Sequence, residues 1–187
     1  GRFRLFTKGK SFPSGLLSLA KTILDKNGIN YSVIDNRPPI KLGKPIGIKN
    51  KDFIPRDYQV EIVNKGFEAG GGIVRSATGS GKTAVIAMLA ARYNIPTIIY
   101  VIGIELLFQM KDTIEGLYGV ECGIVGGGHC DVSKDITIMT IWSAASAFNK
   151  KCKIIDNDVT QDSSKANKNL NKELIRNKVS NAELIIL

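Results

Sequence analysis

Residues 72–83 read GIVRSATGSGKT, a glycine-rich turn between a short apolar run and a helical pattern. The run from Gly72 to Arg75 predicts a strand, and residues 82–93 predict a helix. Glycines between the two let the backbone turn tightly, so that its N–H groups converge on an anion at the helix N-terminus. The sequence therefore predicts a phosphate-binding loop made of Ala77, Thr78, Gly79, Ser80, Gly81, Lys82 and Thr83.

The last two side chains of this loop suggest its ligand. Lys82 is placed to reach the β- and γ-phosphates of a nucleoside triphosphate, and the Thr83 hydroxyl to ligate the Mg²⁺ that bridges them. The strict loop pattern has a glycine five residues before Gly81, where this chain has Ser76. The alternative is that the turn is merely structural, in a nucleic-acid-binding module that needs no nucleotide.

Helices and short apolar runs alternate over residues 54–187, the larger of two predicted domains. Runs rich in Ile and Val that alternate with helices are typical of an α/β fold, in which helices cover both faces of a mostly parallel sheet. The predicted helices span 58–68 and 82–93, and the predicted strands span 72–75, 97–102, 123–125, 136–141 and 184–187. A polar surface insertion with one weak helical pattern is predicted over 149–181.

Residues 1–50 are predicted to form a separate small basic α/β domain. A helical apolar pattern precedes Gly28, which is suited to cap the helix in the left-handed conformation. Short strands are predicted over 3–5 and 31–34. Residues 36–51 mix proline, glycine and lysine without apolar periodicity, which predicts a linker.

The positive charge of the chain is concentrated in this first part. The net charge of the 187 residues is +9, and residues 1–56 hold 12 Lys or Arg against three Asp, so the remainder is neutral. A basic segment favours a polyanion such as nucleic acid, because each neutralised phosphate releases counterions. A solvated basic face is the alternative. The candidate contacts are Arg2, Arg4, Lys8 and Lys10.

The cysteines indicate a reducing compartment. Cys122, Cys130 and Cys152 are an odd number without zinc or redox spacing, which predicts reduced thiols in the cytoplasm. His129 beside Cys130 lacks the two further ligands that a metal site requires. No stretch approaches the ~20 apolar residues of a membrane span. The chain begins GRFRLF, without methionine or signal peptide, so we do not expect Gly1 to be the natural start.

The loop at 77–83 resembles motif I of the superfamily 2 helicases and translocases, in the branch with XPB-, RecG- and UvsW-like enzymes. Upstream, Arg56-Asp57-Tyr58-Gln59 resembles the Arg-x-Tyr-Gln element that precedes motif I there. The resemblance implies a RecA-like domain that binds ATP and Mg²⁺. It also implies that Gln59 reads the adenine edge while Arg56 or Tyr58 packs on the ring. An ordinary amphipathic helix start is the alternative.

Residues 101–109, VIGIELLFQ, resemble motif Ia, through which such enzymes contact DNA. The usual form is Val-Pro-Thr followed by Leu-x-x-Gln, and Gly103 stands where the family has a hydroxyl residue. The resemblance implies contacts with the DNA backbone by Gly103, Ile104 and Gln109. The glycines at 126–128 resemble the turn between motifs Ia and Ib, or form a simple loop.

Residues 138–143, IMTIWS, resemble a later strand of the family that ends in Thr-x-Gln-Ser. The resemblance implies that Thr140 and Ser143 touch phosphate. Trp142 replaces the common glutamine, and either stacks on a base or packs in the core at a helix start.

The first residues resemble the small N-terminal domain of UvsW-type helicases, in GRFRL at 1–5 and FPSGL at 12–16, which implies binding to duplex or branched DNA. The family also has an Asp-Glu box after the strand corresponding to 184–187, and a second motor domain that supplies arginine fingers. We expect both beyond Leu187, so that residues 1–187 bind nucleotide weakly with negligible turnover. The implied function couples ATP hydrolysis to DNA unwinding or remodelling; an RNA helicase and the motor subunit of a restriction system are alternatives.

Overall fold

The computed structural model describes three stretches of the chain: 14–34, 41–148 and 165–187. The chain divides into two compact units, 1–39 and 40–187. Some sequence predictions lie outside the described residues: the strand at 3–5, the contacts Arg2, Arg4, Lys8 and Lys10, and the thiol of Cys152.

The described part of the first unit is built around a helix. A single 3-10 turn, Ser14–Leu16, leads into α1, Leu17–Lys26, and Gly28 follows with φ +65°. The predicted left-handed cap is therefore confirmed. The strand predicted over 31–34 is wrong, because these residues are exposed and pair with no described strand that could satisfy their backbone groups.

The second unit is built on a five-stranded sheet with the order β3-β2-β4-β1-β5. All neighbours run parallel except β3, which pairs antiparallel with β2 in a hairpin that the sequence analysis did not predict. The strands are β1 (Thr97–Val101), β2 (Gly123–Gly126), β3 (His129–Cys130), β4 (Ile136–Thr140) and β5 (Leu184–Ile186). The predicted α/β class with a mostly parallel sheet is confirmed.

In the described part of the second unit, five helices accompany this sheet: α2 (Asp57–Ala69), α3 (Lys82–Tyr93), α4 (Ile104–Tyr118), α5 (Ile141–Ala147) and α6 (Lys165–Ser180). Two separate hydrophobic clusters show that both faces of the sheet are covered. Ile99 packs with residues of α3 and α4, whereas Ile98, its neighbour in β1, packs with Ala147 of α5 and Ile175 of α6. Adjacent strand residues point to opposite faces, so each face has its own core.

The loops with candidate functions follow the carboxyl ends of the central strands. β1 ends at Val101 and α4 begins at Ile104, while β4 ends at Thr140 and α5 begins at the next residue. Since the two strands are parallel neighbours, both turns lie at the same edge of the sheet, where open α/β sheets bind their ligands.

The strand predicted over 72–75 is wrong. Ile73 is 100% exposed, and no backbone hydrogen bond joins this segment to another described strand. It lies instead across a cavity of about 790 Å³ from the edge strand β5. A strand needs a partner for its N–H and C=O groups, and this segment has none within reach among the described residues. The helix that follows spans 82–93 as predicted.

Part of the predicted linker packs on the second unit. The N–H groups of Gly43 and Ile46 donate to carbonyl oxygens of Tyr93 and Ala91 at 3.1 and 2.9 Å. The N–H of Lys49 donates to the Leu117 carbonyl at 2.8 Å. The segment thus caps the C-terminal ends of α3 and α4, which explains why the second unit begins near residue 40.

Within the part of the chain that the structure describes, no helix combines the length and the apolar character needed to cross a bilayer.

Candidate nucleotide-binding site

The turn at 77–83 has a backbone suited to an anion. Gly79 and Gly81 have φ values of +79° and +74°, in the left-handed region that favours glycine, and Gly81 is the N-cap of α3. Left-handed residues that alternate with right-handed ones turn successive N–H groups to one side of the chain. The turn opens a helix of 12 residues, whose N-terminus attracts negative charge.

Ser80, at the middle of the turn, is held by four hydrogen bonds. Its N–H donates to the Ala77 carbonyl at 3.3 Å, and its hydroxyl donates to the Ser76 hydroxyl at 2.9 Å. Its carbonyl oxygen accepts from the Tyr58 hydroxyl at 2.7 Å and from the Gln59 side-chain amide at 3.2 Å. The serine that replaces the expected glycine at 76 therefore contributes a bridge across the turn.

Lys82 is folded over the turn. Its ammonium group donates to the Ala77 carbonyl at 2.8 Å and to the Ser76 carbonyl at 3.5 Å, and the residue is exposed. These neutral acceptors are weaker partners than phosphate oxygens would be. Thr83 follows in the first turn of α3 and is half-buried.

The residues at the turn suit a metal ion that is bound together with a phosphate ligand, rather than a metal ion held by the protein alone. No group of three or more His, Cys, Asp or Glu side chains is gathered for a cation in the described ranges. The Thr83 hydroxyl offers one oxygen, and Mg²⁺ commonly takes one or two protein ligands with phosphate oxygens and water as the others. The turn therefore fits a magnesium–triphosphate complex.

A cavity of about 390 Å³ lies directly beside the turn. Phe53, Arg56, Gln59 and Gly81 are among the residues that line it, and its volume falls within the usual range for small-ligand pockets. Gln59 is 4% exposed, and its side-chain oxygen accepts from the N–H of Arg56 at 3.0 Å. This bond closes the first turn of α2 and fixes the amide of Gln59 between helix and loop.

The structure thus brings together the two segments that the sequence singled out for the nucleotide, 56–59 and 77–83. Sequence reasoning missed Ser76 and Phe53. Ser76 departs from the loop pattern and gave no signal of its hydrogen bond to Ser80. Phe53 lies in a stretch adjoining the predicted linker, and only the packed structure brings it to the cavity.

Among the described residues predicted to contact DNA, those at the starts of α4 and α5 lie at the carboxyl edge of the sheet. Gly103 is the N-cap of α4, Ile104 is its first residue, and Gln109 is exposed further along it. The indole N–H of Trp142 donates to the Ile102 carbonyl at 3.0 Å, which joins the turn after β1 to the start of α5. Trp142 is half-buried, which favours packing at the start of a helix over stacking on a base.

The hydroxyl of Thr140 has a structural task that the sequence analysis did not predict. Thr140 is 4% exposed and is the N-cap of α5, where its hydroxyl accepts from the N–H of Ser143 at 3.3 Å. The two hydroxyl oxygens lie 2.9 Å apart. The Thr140 hydroxyl is therefore buried in the first turn of α5, and its predicted phosphate contact stays a prediction.

The glycines at 126–128 form the turn of the β2–β3 hairpin. Gly127 and Gly128 have φ values of +57° and +84°, as in the two-residue turns that match the twist of antiparallel strands. A Cβ at Gly126 would lie 2.8 Å from the Cγ2 atom of Thr140 and 3.1 Å from a Leu107 methyl. Close packing therefore accounts for Gly126, whereas the left-handed backbone of the turn accounts for Gly127 and Gly128.

The two described cysteines are free thiols, as the sequence predicted. Burial, more than the nearby Glu115 carboxylate, raises the pKa of the Cys122 thiol from 9.0 to about 12. Burial likewise raises the pKa of Cys130. Both side chains are therefore protonated at neutral pH, which suits a packing role.

Comparison with known proteins agrees with this arrangement. The sequence model of the family described as type III restriction enzyme, res subunit, matches residues 52–186. The DNA 3'-5' translocase XPB2 of Sulfurisphaera tokodaii is 38% identical over 117 residues, which are 62% of this chain and 25% of the relative. This chain therefore spans about a quarter of that protein's length.

Among solved structures, the UvsW helicase from Bacteriophage T4 has the same fold, with a TM-score of 0.62 and 23% identity over 78% of this chain and 60% of that one. The resemblance to superfamily 2 helicases and translocases is confirmed. Because the family match covers well over half of its residues, the chain belongs to the family of the type III restriction enzyme res subunit.

Proposed function

We propose that this chain is the nucleotide-binding part of an ATP-dependent DNA helicase or translocase. The observation that carries the proposal is the braced turn at 77–83, which opens α3 beside a cavity of suitable size for a heterocyclic base. The name of the relative, a DNA 3'-5' translocase, supports DNA as the substrate. Since the chain spans a quarter of that relative, hydrolysis and movement on DNA are proposed for the whole protein.

Lys82 changes partners when the nucleotide binds. Its ammonium group leaves the carbonyl oxygens of Ala77 and Ser76 and donates to the β- and γ-phosphate oxygens, whose negative charge makes the hydrogen bonds stronger. Thr83 holds the metal through its hydroxyl. When bound there, Mg²⁺ would supply neutralisation of phosphate charge. The base occupies the cavity beside Gln59 and Arg56.

The DNA backbone runs along the carboxyl edge of the sheet in this proposal. Gly103 and Ile104 offer N–H groups at the start of α4, and the side chains of Gln109 on α4 and Ser143 on α5 add to the contact. Positive charge in residues 1–56 adds sequence-independent affinity for the phosphates. Ser143 is half-buried, and its hydroxyl is hydrogen-bonded to that of Thr140. Gly103 and Ile104 are therefore expected to make most of the contact with DNA.

Titration of the 187-residue chain with Mg-ATP tests the nucleotide site. Loss of a charge-assisted hydrogen bond costs about 1.5–3 kcal/mol, so Lys82→Ala should weaken binding roughly tenfold to a hundredfold. Lys65→Ala is the matched control, because it removes an exposed lysine that pairs with Glu61 on the neighbouring helix α2. Equal binding by wild type and Lys82→Ala would refute the proposal.

The single tryptophan of the chain, Trp142, reports on the proposed DNA surface. DNA should change its emission, because it lies beside the turn after β1. Trp142→Phe serves as the control that isolates the tryptophan signal. If labelled DNA binds by anisotropy while the emission of Trp142 stays constant, the DNA lies elsewhere. RNA of the same sequence, used as a competitor, distinguishes the RNA-helicase alternative.

The family description favours one second candidate, the motor subunit of a restriction enzyme. Both candidates use the same nucleotide site and the same DNA surface. They differ in outcome, since a restriction complex cleaves DNA in an ATP-dependent manner whereas a helicase leaves the strands intact. Assay of the whole protein for DNA ends produced with ATP separates the two.

A further inference from the structure

Tyr58 connects the first turn of α2 to the middle of the phosphate-binding turn. Its hydroxyl donates to the Ser80 carbonyl at 2.7 Å and accepts from the guanidinium group of Arg56 at 3.0 Å. The Gln59 amide donates to the same carbonyl at 3.2 Å. Two neighbouring residues of one helix therefore converge on a single oxygen of the loop, 22 and 21 residues further along the chain.

The direction of this carbonyl determines the direction of an N–H group. The peptide that joins Ser80 to Gly81 is planar and trans, so its C=O and N–H point in opposite directions. With the oxygen drawn toward α2, the N–H of Gly81 must face away from α2. That N–H donates to no backbone carbonyl of the described residues, and it belongs to the N-cap of α3.

We propose that Tyr58 is a positioning residue for the phosphates, which orients the N–H of Gly81 through the carbonyl of Ser80. This inference rests on the proposed nucleotide site and assigns the Tyr58 hydroxyl to the phosphate grip, whereas the sequence resemblance implied that Arg56 or Tyr58 packs on the base. The hydroxyl is engaged on both sides, so its single donor is committed to the loop.

Arg56 strengthens the hydrogen bond from Tyr58 to the Ser80 carbonyl. A guanidinium group that donates to a hydroxyl oxygen polarises it and makes its O–H a better donor, because linked hydrogen bonds reinforce one another. Arg56 also lines the cavity beside the turn. A group bound in that cavity is therefore connected to the phosphate turn through Arg56, Tyr58 and Ser80 in succession.

The test compares a ligand with a base and a ligand without one. Affinities for Mg-ATP and for magnesium tripolyphosphate are measured with wild type and Tyr58→Phe, which removes only the hydroxyl. Loss of a hydrogen bond that orients the grip should weaken both ligands by the same factor, about threefold to tenfold. Tyr93→Phe is the matched control, since its hydroxyl donates to the Phe67 carbonyl at 3.5 Å, near the other end of α2.

Three results would overturn the inference. In the first, Tyr58→Phe binds both ligands as tightly as Tyr93→Phe does. In the second, Tyr58→Phe loses affinity for Mg-ATP alone, which would assign Tyr58 to the base. In the third, tripolyphosphate fails to compete with Mg-ATP for wild type. Failure of the nucleotide site itself looks different. In that case wild type binds neither ligand, or Lys82→Ala binds Mg-ATP as wild type does, whatever Tyr58→Phe does.

Discussion

Replacement of Gly81 by alanine should harm the chain more than the same replacement at Gly79. The two glycines stand two residues apart in one turn, with φ values of +74° and +79°, so alanine is strained at both to a similar degree. Their surroundings differ. A Cβ at Gly79 meets no atom within 4 Å, whereas a Cβ at Gly81 lies 2.5 Å from the side-chain nitrogen of Gln59.

The magnitudes follow from these contacts. Left-handed backbone costs a residue with a Cβ about 1–2 kcal/mol, and this is the whole cost expected at Gly79. Alanine at Gly81 must also displace the buried amide of Gln59, which bonds the Ser80 carbonyl at 3.2 Å and the N–H of Arg56 at 3.0 Å. Two lost hydrogen bonds add about 1–3 kcal/mol, so Gly81→Ala should cost roughly 2–5 kcal/mol.

Urea unfolding of the two variants and wild type measures the loss of unfolding free energy at each position. Mg-ATP titration of the same proteins shows whether nucleotide affinity is lost as well. Gly79→Ala provides the strain without the collision, so the excess loss in Gly81→Ala belongs to Gln59. Equal loss of unfolding free energy, together with equal affinity for Mg-ATP, would refute the reasoning that Gln59 braces the turn.

Two further predictions concern the core and the carboxyl edge. Thr140→Val should lower the free energy of unfolding by about 1 kcal/mol, because the N–H of Ser143 loses its acceptor, and Thr140→Ser should restore it; equal stability of the valine variant in urea would contradict the cap. Burial raises the pKa of Cys122 to about 12. The buried neutral thiol therefore contributes to the free energy of unfolding below pH 9, and this contribution is lost as the pH rises toward 12. The melting temperature of Cys122→Ala should therefore fall less between pH 9 and pH 12 than that of wild type. An equal fall in both proteins would contradict this role of Cys122.

Local sequence predicted those elements whose boundaries it encodes. The bounds of α3 match the prediction because Gly81 stops the preceding turn and an apolar helical pattern follows at once. β1 and β4 are short, largely buried runs rich in Ile and Thr, which identify them as strands from the local sequence alone. Even there, the predicted strand end at 141 was one residue too far, because the Thr140 hydroxyl caps α5.

Tertiary partners decided the remainder. Residues 72–75 have strand composition, yet no described strand pairs with them. Ile175 lies in a stretch whose polar composition predicted a surface insertion, but it is buried against the sheet, and Arg176 donates to the Ala147 carbonyl at 2.6 Å. Ile175 and Val179 lie one helical turn apart and pack on the same hydrophobic cluster, and a composition average conceals this spacing.

The candidate site divides in the same way. The residues of the turn at 77–83 could be predicted because glycine, lysine and threonine at that spacing have a direct physical reason. The bonds from Tyr58 and Gln59 to the Ser80 carbonyl could not, since they join groups more than 20 residues apart and depend on how α2 packs beside α3. The roles in nucleotide and DNA binding stay predictions.

Hydrogen exchange of the backbone amides, with and without Mg-ATP, tests most directly whether the turn grips a triphosphate. The N–H groups of residues 79–84 should exchange more slowly in the presence of Mg-ATP, while those of α5 keep their rates, and Lys82→Ala should abolish the difference. Unchanged exchange at 79–84 under saturating Mg-ATP would contradict the account.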